Sequence, residues 1–94
     1  MTTLQPTIVY KDPDAKLDYT FDWSEWLESD DSISTAAWTV PEGLTKTADS
    51  FDNQTVTIWL SGGSDWTDYH VICEVETTNG RIDQRKLLVC VRER

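Results

Sequence analysis

From Ala15 to Trp23 the chain alternates without a break. Ala15, Leu17, Tyr19, Phe21 and Trp23 are apolar or aromatic; Lys16, Asp18, Thr20 and Asp22 between them are polar. Successive side chains of a strand point to opposite faces, so this pattern predicts a half-buried strand with its odd positions inward. The strand is entered through Lys11-Asp12-Pro13-Asp14. Proline presets φ for a turn, and an aspartate side chain can accept from nearby backbone N–H groups. At its far end Asp22 can cap a short helical turn near 23–27, with Glu25 in the capping-box position. Trp23, Trp26 and Leu27 would then sit near one face of that turn and plug the end of the fold.

The rest of the chain repeats the theme in shorter pieces. Thr7–Tyr10 is a β-prone run and a candidate first edge strand. Ile33–Val40 predicts a strand with Trp38 and Val40 on one face. Leu44–Phe51 is weakly patterned and predicts a short edge strand. Gln54–Leu60 predicts a strand with Val56, Ile58 and Leu60 inward and Trp59 outward. In Tyr69–Thr77, Tyr69, Val71, Cys73 and Val75 face in, and His70, Ile72, Glu74 and Glu76 face out. Asn79-Gly80 then signals a hairpin into the last strand, Arg81–Val91.

Hydrophobic matching sets the register of that hairpin. A two-residue Asn-Gly turn would place Lys86 opposite Cys73 on the buried face. A three-residue loop with Gly80 in a bulge pairs Thr77 with Arg81, and puts Leu87 opposite Val71 and Val89 opposite Tyr69. The second register buries apolar side chains, so it is expected. Cys73 then points inward and Cys90 outward, out of step along the strands. Two free thiols follow.

About seven short strands, with turn signals roughly every 8–12 residues and no long helix, predict an all-β sandwich. Tyr69 begins its strand just after a glycine-containing corner, where immunoglobulin-like and fibronectin type III-like domains carry a tyrosine. The Cys…Trp…Cys pattern of a disulfide-linked antibody domain is missing, so the fibronectin-like variety fits better. Residues 1–6 are expected to form a flexible arm and residues 7–94 a single domain, since 94 residues support one core.

The charge excludes several roles. Seventeen acids against eight bases give a net charge of −9. A nucleic-acid backbone needs clustered Lys and Arg, so no nucleic-acid partner is expected. Anionic membrane surfaces are disfavoured for the same reason. No apolar run approaches the roughly 18 residues of a membrane span, and MTTLQPTIVY has no signal-peptide pattern.

No constellation points to catalysis. His70 is the single histidine and lies on an outward strand position, with no nucleophile elbow in the chain. Asp12, Asp14, Asp18, Asp22, Asp30 and Asp31 make the N-terminal half acidic, and loop carboxylates build calcium sites in some sandwiches. No EF-hand spacing is present; turns and caps are the simpler use. No catalytic residue, metal site or cofactor is therefore expected. Binding has better candidates. Trp59 faces outward and Trp66 lies in a loop beside Gly62-Gly63, and exposed Trp can stack on sugars or anchor an interface. On the last hairpin the outward residues Ile72, Leu88 and Cys90 form an apolar patch where a wet sheet should be polar.

The opening stretch also resembles a family of small structural proteins encoded by tailed bacteriophages and prophages. The shared pattern is Lys11-Asp12-Pro13-Asp14-Ala15, Leu17-Asp18-Tyr19, Asp22-Trp23 and Trp26-Leu27. The resemblance continues at Ile33, Trp38, Val40, Trp59–Gly63, Tyr69, Asn79-Gly80-Arg81 and the Val91–Arg94 end. Asp65-Trp66-Thr67-Asp68 departs from it, being bulkier and more acidic than the small residues expected in that loop. The resemblance implies a non-enzymatic virion structural protein that decorates or stabilises the head or serves the head–tail region. Its partners would be capsid or other virion proteins in a multicopy assembly, put together in the bacterial host cytoplasm. The alternative is a glycan-binding or adhesion module of a tail or fibre, stacking host-surface sugars on Trp59 and Trp66.

Overall fold

A computed structural model describes residues 7–93, so the expected arm, residues 1–6, lies outside the described residues. The described chain is all strand, turn and loop. Seven strands follow in order: β1 (Thr7–Lys11), β2 (Leu17–Asp22), β3 (Ile33–Thr39), β4 (Leu44–Phe51), β5 (Thr55–Gly62), β6 (Thr67–Thr77) and β7 (Ile82–Val91). They form two sheets, β1-β7-β6-β3 and β2-β5-β4. With β2-β5-β4 facing β3-β6-β7, the pairing is that of an immunoglobulin sandwich, with the first strand moved across to lie beside the last.

The predicted strand survives as β2, but its inward residues are buried to different degrees. Phe21 and Trp23 are buried, whereas Leu17 is 39% exposed. The reason is position: β2 is the edge of its sheet and pairs only with β5, so its early residues overhang the seam. The turn before it forms as expected. Asp12 Oδ1 accepts from the Asp14 N–H at 2.8 Å, and the Ala15 N–H donates to the Asp12 carbonyl at 3.0 Å.

The turn after β2 is one helical turn and no more. The N–H groups of Trp26 and Leu27 both donate to the Trp23 carbonyl at 3.0 Å. Asp22 Oδ1 caps it through the Ser24 N–H at 2.9 Å. Trp23 is fully buried and meets Trp26 edge-on at 5.2 Å between ring centroids. Arg81, just before β7, and Arg85 of β7 cover the pair. Arg85 lies 3.9 Å over the Trp23 ring and Arg81 lies 4.2 Å over Trp26. Arg85 Nη1 donates to the Asp22 carbonyl, and Arg81 Nη1 to the Trp26 carbonyl. The plug is thus an aromatic pair held from above by cations, each stacked contact being worth about 0.5–2 kcal/mol.

The hairpin takes the three-residue register. Val71 pairs with Leu87 and Tyr69 with Val89. The Thr77 N–H donates to the Arg81 carbonyl at 2.8 Å, and Gly80 stands at φ 88°, as a bulge glycine should. Cys73 and Cys90 are both free thiols.

The core fills the gap between the sheets with Val56, Ile58 and Leu60 of β5 against Val71, Cys73, Val75, Leu87, Val89 and Val91. One end of it closes on a tyrosine corner. Tyr69 Oη accepts from the Ser64 N–H at 2.9 Å, which ties the β5–β6 loop to the start of β6.

Lys11 was not foreseen. It reads in sequence as the first residue of a turn, yet it is 1% exposed. Its Nζ donates to the Gly62 carbonyl at 2.7 Å and to the Asp12 carbonyl at 2.9 Å. Burial pulls its pKa below the ordinary lysine value, and the neighbouring Asp12 and Asp14 charges oppose that shift. A buried amine is tolerable when its protons are paired. Here it bolts the end of β1 to the end of β5, joining the two sheets.

Candidate protein interface

Two sheets give two outward faces, and they differ. On β2-β5-β4 the outward side is polar around Trp59. Asp18 and Ala48 pair with it on either side, and Thr20 and Thr57 share a 2.8 Å hydrogen bond next along. Trp59 is 38% exposed there and stands as a lone ring.

The outward side of β1-β7-β6-β3 is apolar near its β1 edge. Register places Ile8 beside Leu88 and Tyr10 beside Cys90 on the parallel β1–β7 pair, and His70 opposite Leu88 on β6. Ile72 follows His70 by two residues on the same face, diagonal to Leu88. Ile8 is 54% exposed and Tyr10 59% exposed, while Leu88 and Ile72 are half-buried. Cys90 takes the outward position expected of it. It faces outward, but it is only 5% exposed, because Tyr10 and Asp68 flank it on the neighbouring strands. Burial also pushes its thiol pKa up, with the Asp68 carboxylate adding to the shift.

Trp66 extends this same face. It is 77% exposed and sits just before β6 with φ 62°, a left-handed backbone that bulky residues rarely adopt. Its N–H donates to the Val91 carbonyl at 2.8 Å. The Arg92 guanidinium lies 4.8 Å from its ring centroid and pairs with Asp68 at 3.0 Å. Arg92 in turn donates its own N–H to the Lys11 carbonyl at 2.9 Å, and Asp65 Oδ1 accepts from the Glu93 N–H at 2.8 Å. The loop and the end of β7 are therefore laced together.

Of the five residues singled out in sequence, Trp66, Ile72, Leu88 and Cys90 come to one face and Trp59 lies on the other sheet. Sequence reasoning missed Ile8, Tyr10 and Arg92. Thr7–Tyr10 alternates too weakly to show which side faces water, and only the pairing with β7 brings it beside the hairpin patch. Ile82, 61% exposed, lies on the same outward side at the far end of β7.

The aspartates serve turns. Asp52 Oδ1 accepts from Gln54 and Thr55 N–H groups, and Asp31 Oδ1 accepts from the Ser32 N–H, the Thr78 hydroxyl and the Asn79 N–H. Among the described residues no group of three or more His, Cys, Asp or Glu side chains could hold a metal ion. Burial pushes the Cys73 thiol up to about 12, which makes it a poor nucleophile.

Comparison with known proteins bears on the family and the fold. The family model described as podophage GP4 fiber-tail adaptor protein gp77 matches residues 11–90. No curated protein matches the chain in sequence. Among solved structures, the PKD domain from KIAA 1837 protein is similar in fold. It has a TM-score of 0.54 and 20% identity, and the match covers 94% of this chain and 80% of that one. At that identity the likeness concerns the fold alone.

Proposed function

This chain belongs to the podophage GP4 fiber-tail adaptor family gp77, a family of phage structural proteins, and from that premise we propose that it works in the tail region of the virion as a non-enzymatic adaptor. It acts by binding other virion proteins, in several copies, at the joint between tail and fibre. The resemblance implied the head or the head–tail region; the family supports the tail region and gives head decoration no support. The observation that carries the reading is the outward face of β1-β7-β6-β3. Ile8, Tyr10 and Trp66 are more than half exposed there, beside Leu88 and Ile72. A wet sheet face on a free-standing domain is normally polar, so apolar side chains gathered on one side mark a contact surface. Trp59 is a further candidate, on the other sheet.

The glycan-binding alternative is not favoured. It used Trp59 and Trp66 together as a stacking platform, but Trp59 lies on the outward face of β2-β5-β4 and Trp66 in the turn before β6, beside the other sheet. Labelling this chain in purified particles of its own phage and locating the label by electron microscopy tests the proposal. Density at the tail–fibre joint is the expected result. Particles that assemble complete and infectious without the polypeptide would overturn it.

A further inference from the structure

The Trp66 end of the apolar face has a charge that narrows its partner. Arg92 stacks on Trp66 and pairs with Asp68, so its charge is balanced locally. The Lys11 amine lies buried beneath, bonded to two carbonyls. Asp12, Asp14, Asp65 and Glu93 stand at this same end, because Lys11 pairs with Val91 and the Asp65–Glu93 bond closes the loop on it. The end is an aromatic surface with an acidic rim, on a chain of net charge −9.

Trp66 is also set up to be inserted. Its backbone is fixed in a conformation that costs energy for a bulky residue, and its ring is braced by the Arg92 guanidinium while 77% of it faces solvent. A ring already held in place loses little freedom on binding. Trp, Tyr and Arg are also the side chains on which interface energy concentrates.

We infer that Trp66 and Tyr10 dock into an apolar pocket rimmed by lysine and arginine on a different protein of the particle, and that this end does not bind a second copy of the chain. The inference rests on the reading above that the outward face is a contact surface. A two-fold contact between copies would set the same patch against itself. The carboxylates of one rim would then face those of the other, and among the described residues they outnumber the exposed Lys16 beside Asp14 and the already paired Arg92. A basic partner meets the rim with opposite charge, which speeds encounter and fixes orientation.

The test places a photoreactive benzophenone amino acid at position 66 of the full chain, and in a second variant at position 10. Phage are propagated with each, and purified particles are irradiated and digested. Mass spectrometry then identifies the joined peptides. The expected result is an adduct from position 66 or 10 to one other virion polypeptide, at a segment with a net positive charge. An adduct to a second copy of this chain overturns the inference, as does one to a neutral or acidic segment. So does the absence of any adduct from both positions in particles that contain the chain. Particles that lack the chain altogether would instead overturn the adaptor reading itself, so the two failures are distinguishable. In particles made with Trp66→Ala, incorporation of the chain should fall roughly tenfold or more, the loss expected of a central anchor.

Discussion

Replacing Gly63 with alanine tests how the loop before Trp66 is seated. Gly63 lies at φ 97°, and a Cβ added to it would come 2.7 Å from Val91 Cγ2 and 3.5 Å from both Leu44 Cδ1 and Tyr69 Cε2. Two costs add. The left-handed backbone costs a non-glycine residue about 1–2 kcal/mol. Forcing a methyl group against a packed Val91 costs about 1–3 kcal/mol more. Gly80 supplies the control, since it has a similar φ of 88° but nothing within 4 Å of the added Cβ. Gly80→Ala should therefore show the backbone cost alone, about 1–2 kcal/mol, and Gly63→Ala about 2–5 kcal/mol. Urea unfolding followed by tryptophan fluorescence measures both, with an unchanged slope showing that the unfolded state is the same. In a thermal melt each 1 kcal/mol corresponds to roughly 4–8 °C for a domain of this size. Equal losses at the two positions would refute the close-packing argument. A further check is Val91→Ala in the Gly63→Ala background, where the second change should cost less than it does alone, because it clears the space the new methyl needs.

Three further outcomes follow from the same geometry. Trp23→Ala should cost about 3–5 kcal/mol, a large share of the roughly 5–15 kcal/mol of an ordinary domain, whereas Trp23→Phe should cost less; circular dichroism melts distinguish them. Both thiols should resist Ellman's reagent at pH 8 until denaturant is added, because Cys73 is fully buried with its pKa pushed up to about 12 and Cys90 is nearly buried; rapid native labelling of either would contradict this. Stability should be flat from neutral pH down to about the 3.8 of a free aspartate and fall below it. Asp22 and Asp52 are held lower by the Ser24 and Gln54 N–H groups, and in Asp31 hydrogen bonds from the Thr77–Asn79 turn and Ser32 outweigh the upward push of burial. These folded-state values lie below the unfolded one, so the carboxylates stabilise the fold above 3.8 and lose that contribution as pH falls through the lower values; a denaturant midpoint that held constant down to pH 2.5 would be the contrary result.

What could be read in the chain was whatever depended on neighbours in sequence. Alternation marked β2, β5 and β6, the Asp-Pro-Asp turn formed its own hydrogen bonds, and the Asn-Gly bulge fixed the hairpin register because only one register buried Leu87 and Val89. What could not be read depended on which distant strands meet. The parallel pairing of β1 with β7 joins residues about eighty positions apart, and nothing local encodes it. Lys11 is buried because that pairing carries it under the β5–β6 loop; as an isolated letter it reads as solvent-facing. Arg81 and Arg85 point inward for a similar reason. At the far end of β7 the facing layer is an indole pair in place of a strand, and a guanidinium can stack there without losing its hydrogen bonds. The candidate interface was half legible. Ile72, Leu88 and Trp66 stood out as apolar where water was expected, but Tyr10 and Ile8 joined them only through the β1 pairing.

That pairing has a mechanical consequence. Strands β1 and β7 run in the same direction, with Thr7 beside Leu87 and Lys11 beside Val91. Tension that draws Thr7 and Val91 apart acts along the two strands in opposite senses, so it slides one past the other. The ladder between them must then yield as a unit, where a hairpin pulled from its open end would give way one bond at a time. The Arg92 N–H on the Lys11 carbonyl lies across the same slip plane, and the Lys11 bolt to Gly62 ties β1 to the other sheet as well. For a module loaded in this way, resistance to lengthwise pulling is set by the barrier to unfolding and not by equilibrium stability.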